Sequence, residues 1–520
     1  MTHSMDGDEC YHNFYQPSDI YWGLGIENET YFQLKDDITI SQKELFEQRR
    51  ERYSVDYNLN FKKLELSEQI NKQFPNDTNF KIPRYMNCHS LTKCDINLQH
   101  KFIYANRSIT NTENPDFNGK TIHEMMMEYD PFFKHDYEKK YVFDGDTVEF
   151  MTKNFYKTNP SSVIEELVSY KKKFIEQLNN FFHAYLQKEH SLEDNNPLKT
   201  VILDYPKYNY GLVSFLSNNN KITPFNNGTY HINITLPTQL DDKGKILDFD
   251  KFVKEHRNFS RLLQLIEPLI IGYYGSPDIY SVLGNDKYSL GSLRCTASRY
   301  IGVGTYDTDK MIPGKLLNDE IHKTKLSKKD NNWYQKLYEN TNYIPCEKIG
   351  YDINFNKHYN HGIEIRYHDY IPEEHLLDLI NLYILIADHS LVIDNIETID
   401  NNDSWHSTLY ECLKYGYNAR IPEEYLISLE TQLKIKLEKN NNMQLDKLLK
   451  QLVNLLYDLY VDEGICCKLM SPNMKKPELF NCNLYMWHGQ IDQYYGHQTN
   501  FRNLVNKDNL YIEERIQTMK

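Results

Sequence analysis

Four short segments place groups that bind metal or phosphate at every second residue, with apolar residues in between. In a β-strand alternate side chains face opposite ways, so each segment reads as a strand with an apolar back and a polar front. Along Leu24–Phe32, Leu24, Ile26 and Phe32 share one side while Glu27 and Glu29 share the other. Along Thr147–Thr152, Val148 and Phe150 oppose Glu149. Along His231–Leu236, Ile232, Ile234 and Leu236 oppose His231, Asn233 and Thr235. Along Ile363–Tyr367, Ile363, Ile365 and Tyr367 oppose Glu364 and Arg366. The ordinary alternative is a set of half-buried strands whose polar faces meet water. Such faces usually mix Lys, Ser, Thr and Gln. These hold no Lys and concentrate the oxygen and imidazole ligands that Mg²⁺ or Mn²⁺ prefer. Glu27 and Glu29, two residues apart on one face, would repel each other unless a cation lay between them.

This set of groups suits phosphoryl transfer from ATP. Such transfer needs cations to neutralise the γ-phosphoryl oxygens and an in-line geometry, with little covalent help from the protein. Metals held by several carboxylates supply the first, and arginines stabilise the charge that moves. Arg294 and Arg299 stand five residues apart, and Arg366 stands beside Glu364. The planar guanidinium fork fits phosphate better than an ammonium does. Taken alone, Arg294 and Arg299 would read as a surface pair.

In their order along the chain these motifs resemble the glutamine synthetase and glutamate–cysteine ligase superfamily of carboxylate–amine ligases. Glu27-Asn-Glu29 resembles its Glu-x-Glu metal strand, and Trp22-Gly23 is similar to the Trp-Gly that precedes this strand in eukaryotic glutamate–cysteine ligases. Asp144-Gly-Asp-Thr-Val-Glu-Phe-Met-Thr152 resembles the acidic-Gly turn and Glu-Phe-x-Thr strand of bacterial glutamate–cysteine ligases and amidoligases. His231-Ile-Asn233 is similar to the His-x-Asn strand of eukaryotic glutamine synthetases. Arg294 and Arg299 keep the spacing of the synthetase's phosphate-binding arginines, and Glu364-Ile-Arg366 resembles its Glu-x-Arg strand. The resemblance covers about residues 20 to 395.

The resemblance implies an α+β fold: a curved antiparallel sheet forming a funnel-shaped active site, flanked by helices. It implies ATP and Mg²⁺ (or Mn²⁺) as cofactors, with Glu27, Glu29, Glu149, His231 and Glu364 as metal ligands. Asn233 would help to hold nucleotide or metal. Arg294, Arg299 and Arg366 would contact phosphate, Arg299 and Arg366 acting in catalysis. ATP would phosphorylate a carboxylate of an amino acid, peptide or protein, and an amine would then form the amide. Two departures bear on the amino-acid substrate. Thr229 stands where the synthetases have a glycine, with Gly228 one step earlier, and the extra glutamates of their second metal strand have no counterpart in sequence.

Longer elements must position these strands. A helix is expected from about Ser162 to His190, opened by a Ser162/Glu165 capping box and buried through Val163, Leu167, Tyr170, Phe174, Leu178, Phe181 and Tyr185. Another follows Pro372, with Leu376, Leu377, Ile380, Tyr383 and Ile384 on its apolar face. The stretch from about Glu423 to Asp462 reads as two helices broken at Asn440–Asn442. Residues 1–420 are then the ligase domain, with a charged helical insertion near 41–135, and 421–520 a helical C-terminal extension. Ser217–Asn220 and Ser327–Asn332 read as polar loops.

Bulk properties narrow the partners. A net charge of −14 on 520 residues argues against general affinity for nucleic acid or anionic membrane. No stretch approaches the ~18–20 uninterrupted apolar residues of a membrane helix, and Met1–Cys10 lacks the pattern of a signal peptide. Nine scattered cysteines without a Cys-x-x-Cys pair fit a reduced, cytoplasmic protein. Two rival readings are a non-catalytic binding or structural protein that keeps the fold, and a guanidino kinase. The second has no place for Glu-x-Glu followed by His-x-Asn.

Overall fold

A computed structural model describes residues 20–41, 79–86, 122–137, 139–144, 147–152, 159–186, 200–204, 230–241, 246–275, 353–355, 362–397, 403–438, 443–463 and 474–481. The strands are β1 (Ile20–Ser41), β2 (Asn79–Met86), β3 (Tyr141–Asp144), β4 (Thr147–Met151), β5 (Val201–Asp204), β6 (Tyr230–Gln239), β7 (Ile353–Phe355) and β8 (Ile363–Ile365). They form one open sheet in the order β3-β4-β1-β6-β8-β7, every pair antiparallel. The long β1 organises it. Its first half lies between β4 and β6, and its second half pairs with β2 and β5. The protein is therefore α+β with an antiparallel sheet that does not close. Within the span 41–135 the described residues contribute a strand as well as helices, because β2 extends the sheet from β1.

The apolar back of the sheet carries the core. Leu24, Ile26, Val148, Phe150, Ile232, Ile234, Ile363 and Ile365 are all buried there. Helix α3 (Pro160–Phe181) lies against it, after the short α1 (Ile122–Tyr129) and α2 (Pro131–Asp136). Phe174 of α3 stacks on Phe32 with centroids 6.0 Å apart and meets the rings of Tyr141 at 4.8 Å and Phe150 at 5.1 Å. Each buried ring of this kind contributes about 1.5–3 kcal/mol. The helix opens three residues before the expected capping box. Asn159 is the N-cap and accepts from the Ser162 amide at 3.2 Å, while Pro160 pre-sets the first turn. Ser162 thus has its amide capped and is not itself the cap. The α-helix ends at Phe181, and Phe182–Leu186 form a π turn. The Tyr185 side chain and residues 187–190 lie outside the described residues.

Two further helices complete the layer, α4 (Phe249–Tyr274) and α5 (Leu376–Val392), the latter entered through a 3₁₀ turn at Glu373–His375. Lys171 of α3 is buried and ion-paired with Glu373 of that turn. Burial lowers the lysine's pKa, and Glu373 opposes the shift. The helix after Pro372 is not amphipathic as expected. Leu379–Leu385 are buried without interruption, so it is enclosed on all sides. By length and composition Glu373–Val392 could cross a membrane, yet 72 % of its most apolar stretch is buried inside the protein. Glu373, Glu374, Asp378 and Asp388 interrupt the run.

After α6 (Asp403–Tyr415), the ribbon β9 (Arg420–Ile421) and β10 (Met443–Gln444) brackets α7 (Glu423–Leu433), and α8 (Leu445–Glu463) follows. These last helices share the core: the Tyr425 hydroxyl donates to Leu265 O at 2.5 Å, and His389 Nε2 lies 2.9 Å from Leu433 O. Asn440–Asn442, the expected break, lie outside the described residues. A strap at 474–481 folds back onto α5. Asp378 accepts the amides of Glu478, Leu479 and Phe480 at 2.7–3.1 Å and the Tyr274 hydroxyl at 2.8 Å. Leu479 takes a left-handed φ of 59° that turns these three amides toward one carboxylate. The segments 217–220 and 327–332 lie outside the described residues.

His256 joins α4 to the sheet. It is fully buried; its Nδ1 donates to Phe252 O at 2.7 Å and its Nε2 accepts from the Leu236 amide at 3.0 Å. Burial pushes this imidazole down to about 4, with the Phe252 carbonyl opposing the shift. The folded ring stays neutral to about pH 4, whereas an unfolded histidine takes up its proton near pH 6.5. Between those values the unfolded chain binds more protons, so stability present above pH ~6.5 is lost as pH falls toward 4. Wild type is expected to lose roughly 2 kcal/mol between pH 7 and pH 5 from this ring. The check is denaturant titration of wild type and His256→Gln at both values. A difference between the two proteins that does not change with pH would remove His256 as the cause.

Candidate metal centre

Strand register brings the polar fronts together. Glu29 of β1 sits directly opposite Glu149 of β4, and Glu27 sits opposite His231 of β6. Asn233 of β6 sits opposite Glu364 of β8. Across four adjacent strands these groups form one cluster at the middle of the sheet. The β1–β4 ladder is closed below the cluster by Thr152, whose Oγ1 accepts the Ile26 amide at 3.2 Å and whose own amide donates to Ile26 O at 3.0 Å.

His231 is the hub. Its Nδ1 lies 3.0 Å from Glu27 Oε2 and 3.5 Å from Glu364 Oε1, and its Nε2 lies 3.9 Å from Glu29 Oε1. Two overlapping triads result, Glu27–His231–Glu364 and Glu29–Glu149–His231, each with ligand atoms within 4.8 Å of one another. Asn233 Nδ2 reaches Glu27 Oε1 at 3.5 Å, at the limit of a hydrogen bond. Arg366, half-buried at the rim, donates from Nη1 to Glu364 Oε1 at 3.2 Å.

These fronts do not face water. Glu27, Glu29, Glu149, His231, Asn233 and Glu364 are each at most 7 % exposed. The ordinary half-solvated strand therefore does not describe them. Among the described residues, Arg366 is ion-paired with Glu364, and His231 lies between the two carboxylate sets. Taking a carboxylate out of water costs several kcal/mol unless an opposite charge compensates. Oxygen and imidazole donors at these separations match the needs of a hard divalent cation. The residues present fit such an ion.

All five expected metal ligands and Asn233 are brought together, with Arg366 beside them. Arg294 and Arg299 lie outside the described residues. Sequence reasoning missed a supporting layer. His368, Tyr383 and Thr235 hold the strand ends, the last by accepting the Gly362 amide at 3.0 Å. Gly362 has to be a glycine, since a Cβ there would collide with the Ile234 carbonyl and the His256 ring. His368 shares the parity of Glu364 and Arg366, which would put it on the metal front. The strand stops at Ile365, alternation stops with it, and the ring packs behind the sheet against Tyr383 of α5.

No protein-family model matches the chain. Over 495 residues it is 43 % identical to Uncharacterized protein R704 of Acanthamoeba polyphaga mimivirus, an alignment that spans 94 % of this chain and 84 % of the mimivirus protein. The chain belongs to the same family as this mimivirus protein.

Proposed function

We propose that the chain is an ATP- and Mg²⁺-dependent carboxylate–amine ligase of the glutamine synthetase and glutamate–cysteine ligase superfamily. Its main support is the place of His231 between two buried carboxylate sets on the central strands. In this reading the sheet curves around the cluster as the wall of a funnel. Glu27, Glu29, Glu149, His231 and Glu364 hold Mg²⁺ or Mn²⁺, which when bound neutralises phosphate oxygens. Arg366 then turns its remaining N–H groups toward the phosphoryl group, joined by Arg294 and Arg299. Asn233, tied to Glu27, steadies the same edge for nucleotide or metal. An oxygen of the substrate carboxylate displaces ADP from the γ-phosphoryl group, giving an acyl phosphate. The amine then forms a C–N bond to that carbonyl carbon, phosphate leaves with its C–O bond electrons, and the amine gives up a proton. The carboxylate belongs to an amino acid, peptide or protein. Cys412, a buried free thiol, is in keeping with a reduced cytoplasmic setting.

Calorimetry with ATP, with and without Mg²⁺, tests the metal requirement. Mg²⁺ is expected to tighten binding tenfold or more, about 1.4 kcal/mol. Equal binding under both conditions would sink the metal-centred reading. ATP turnover against a panel of amino acids, amines and peptides, with mass spectrometry of products, tests the ligase step. Metal-dependent binding without any turnover would favour the non-catalytic reading.

A further inference from the structure

The pairing that aligns His231 with Glu364 is short. β8 has three residues, and its ladder with β6 covers only Ile232–Ile234 against Ile363–Ile365. Continued by two residues, the same register would set Tyr230 opposite Tyr367, yet the strand has ended. On its other edge β6 pairs with β1 here, Asn28 opposite Tyr230, and on the β8 edge a side chain takes over from the ended strand. His368 Nδ1 donates to the Tyr230 carbonyl at 3.1 Å, and that carbonyl belongs to the peptide entering His231. We infer that His368 is a positioning residue for the metal centre, its imidazole fixing the Tyr230–His231 peptide and so setting His231 against Glu27 and Glu364. The inference rests on the proposed metal-binding role of that cluster.

The imidazole can do this because its other end is anchored. Nε2 lies 2.5 Å from the Tyr383 hydroxyl on α5, and that hydroxyl is hydrogen-bonded to the Tyr367 hydroxyl at 3.2 Å. His368, Tyr383 and Tyr367 are all buried, and α5 is enclosed in the core, so the anchor is rigid. Burial, and then Tyr367, pushes the Tyr383 phenol well up, so it keeps its proton. A peptide plane is stiff, and rotating the one before His231 swings the direction of its side chain. The Nδ1 contacts at 3.0 Å and 3.5 Å would then be lost. Partners behind a ligating histidine typically change metal affinity 10–100-fold.

The test is Mn²⁺ titration of the full-length protein, read by the electron paramagnetic resonance signal of free Mn²⁺, well below the melting temperature. Wild type, His368→Ala, His368→Asn and Tyr383→Phe are compared, with thermal melts alongside. His368→Ala is expected to weaken Mn²⁺ binding about tenfold or more. His368→Asn retains a donor for the Tyr230 carbonyl and should recover part of the affinity. Tyr383→Phe should weaken binding severalfold; it removes one hydroxyl and keeps the ring, so it carries the test if His368→Ala does not fold. A purely structural role would lower melting temperatures and leave the Mn²⁺ affinity of the folded variants unchanged, which overturns the inference. An Asn variant no better than Ala overturns it as well. A folded wild type that binds no Mn²⁺ overturns the metal reading and this inference together.

Discussion

Glu29→Gln and Glu149→Gln should each reduce ATP turnover about a hundredfold or more while leaving the fold intact and, without metal, somewhat more stable. The two carboxylates face each other across the β1–β4 ladder, both buried. Like charges directly opposite in a sheet destabilise it by roughly 0.2–1 kcal/mol, and burial raises that figure. In the proposed metal centre a divalent ion held by both would turn repulsion into coordination. Gln keeps the shape and removes one charge, so it relieves the strain of the metal-free state and spoils the site together. Melting curves give a second reading. In the proposed reading Mg²⁺ binds the folded protein alone, so it should raise the wild-type melting temperature, with little effect on either variant. Turnover near the wild-type value in either variant would remove that residue from the metal set. Turnover lost in step with stability would mark the pair as a structural contact.

The parts of this site that were legible in the sequence are those set by local geometry. Period-2 alternation is enough to put Glu27 with Glu29, and Glu364 with Arg366, on single faces. It says nothing of register, so the meeting of Glu29 with Glu149 and of Asn233 with Glu364 emerges only from pairing between segments far apart in the chain. The burial of the polar fronts was equally hidden, since it depends on what covers them. Helix ends failed for a similar reason. Asn159 and Ser162 both suit a cap, and Pro160 suits either the first turn of a helix capped by Asn159 or the approach to one capped by Ser162, so the local sequence leaves both open. His256, His368 and the Lys171–Glu373 pair have partners 20 to 202 residues away, and no local pattern marks them. The enclosure of α5 followed from the C-terminal helices and the strap packing on its far side, which its own apolar spacing does not reveal.

Arg366→Ala should lower kcat about a hundredfold, on the order of 3 kcal/mol, with a smaller effect on ATP affinity. Its guanidinium donates to Glu364 at 3.2 Å and is 24 % exposed, at the rim of a buried cluster. Two roles fit that geometry. In the first, Arg366 only neutralises Glu364. Its loss would then leave a buried carboxylate uncompensated, and the cost, roughly 3–5 kcal/mol, would appear in stability. In the second, one N–H steadies Glu364 while the rest of the fork meets charge that develops on the phosphoryl group, and the cost appears in kcat. Arg366→Lys separates the roles. A lysine keeps the charge and can still pair with Glu364, so it should restore most of the stability under either role. It loses the planar fork, so under the second role it should recover only part of kcat. Steady-state kinetics beside thermal melts, at saturating Mg²⁺, give the measurement. The same pair of substitutions at Arg294 and Arg299, which lie outside the described residues, tests whether all three guanidinium groups act at one phosphate. An Arg366→Lys enzyme with full kcat, or an Arg366→Ala enzyme that loses stability alone, would leave Arg366 as a counter-ion for Glu364 and take it out of the chemistry.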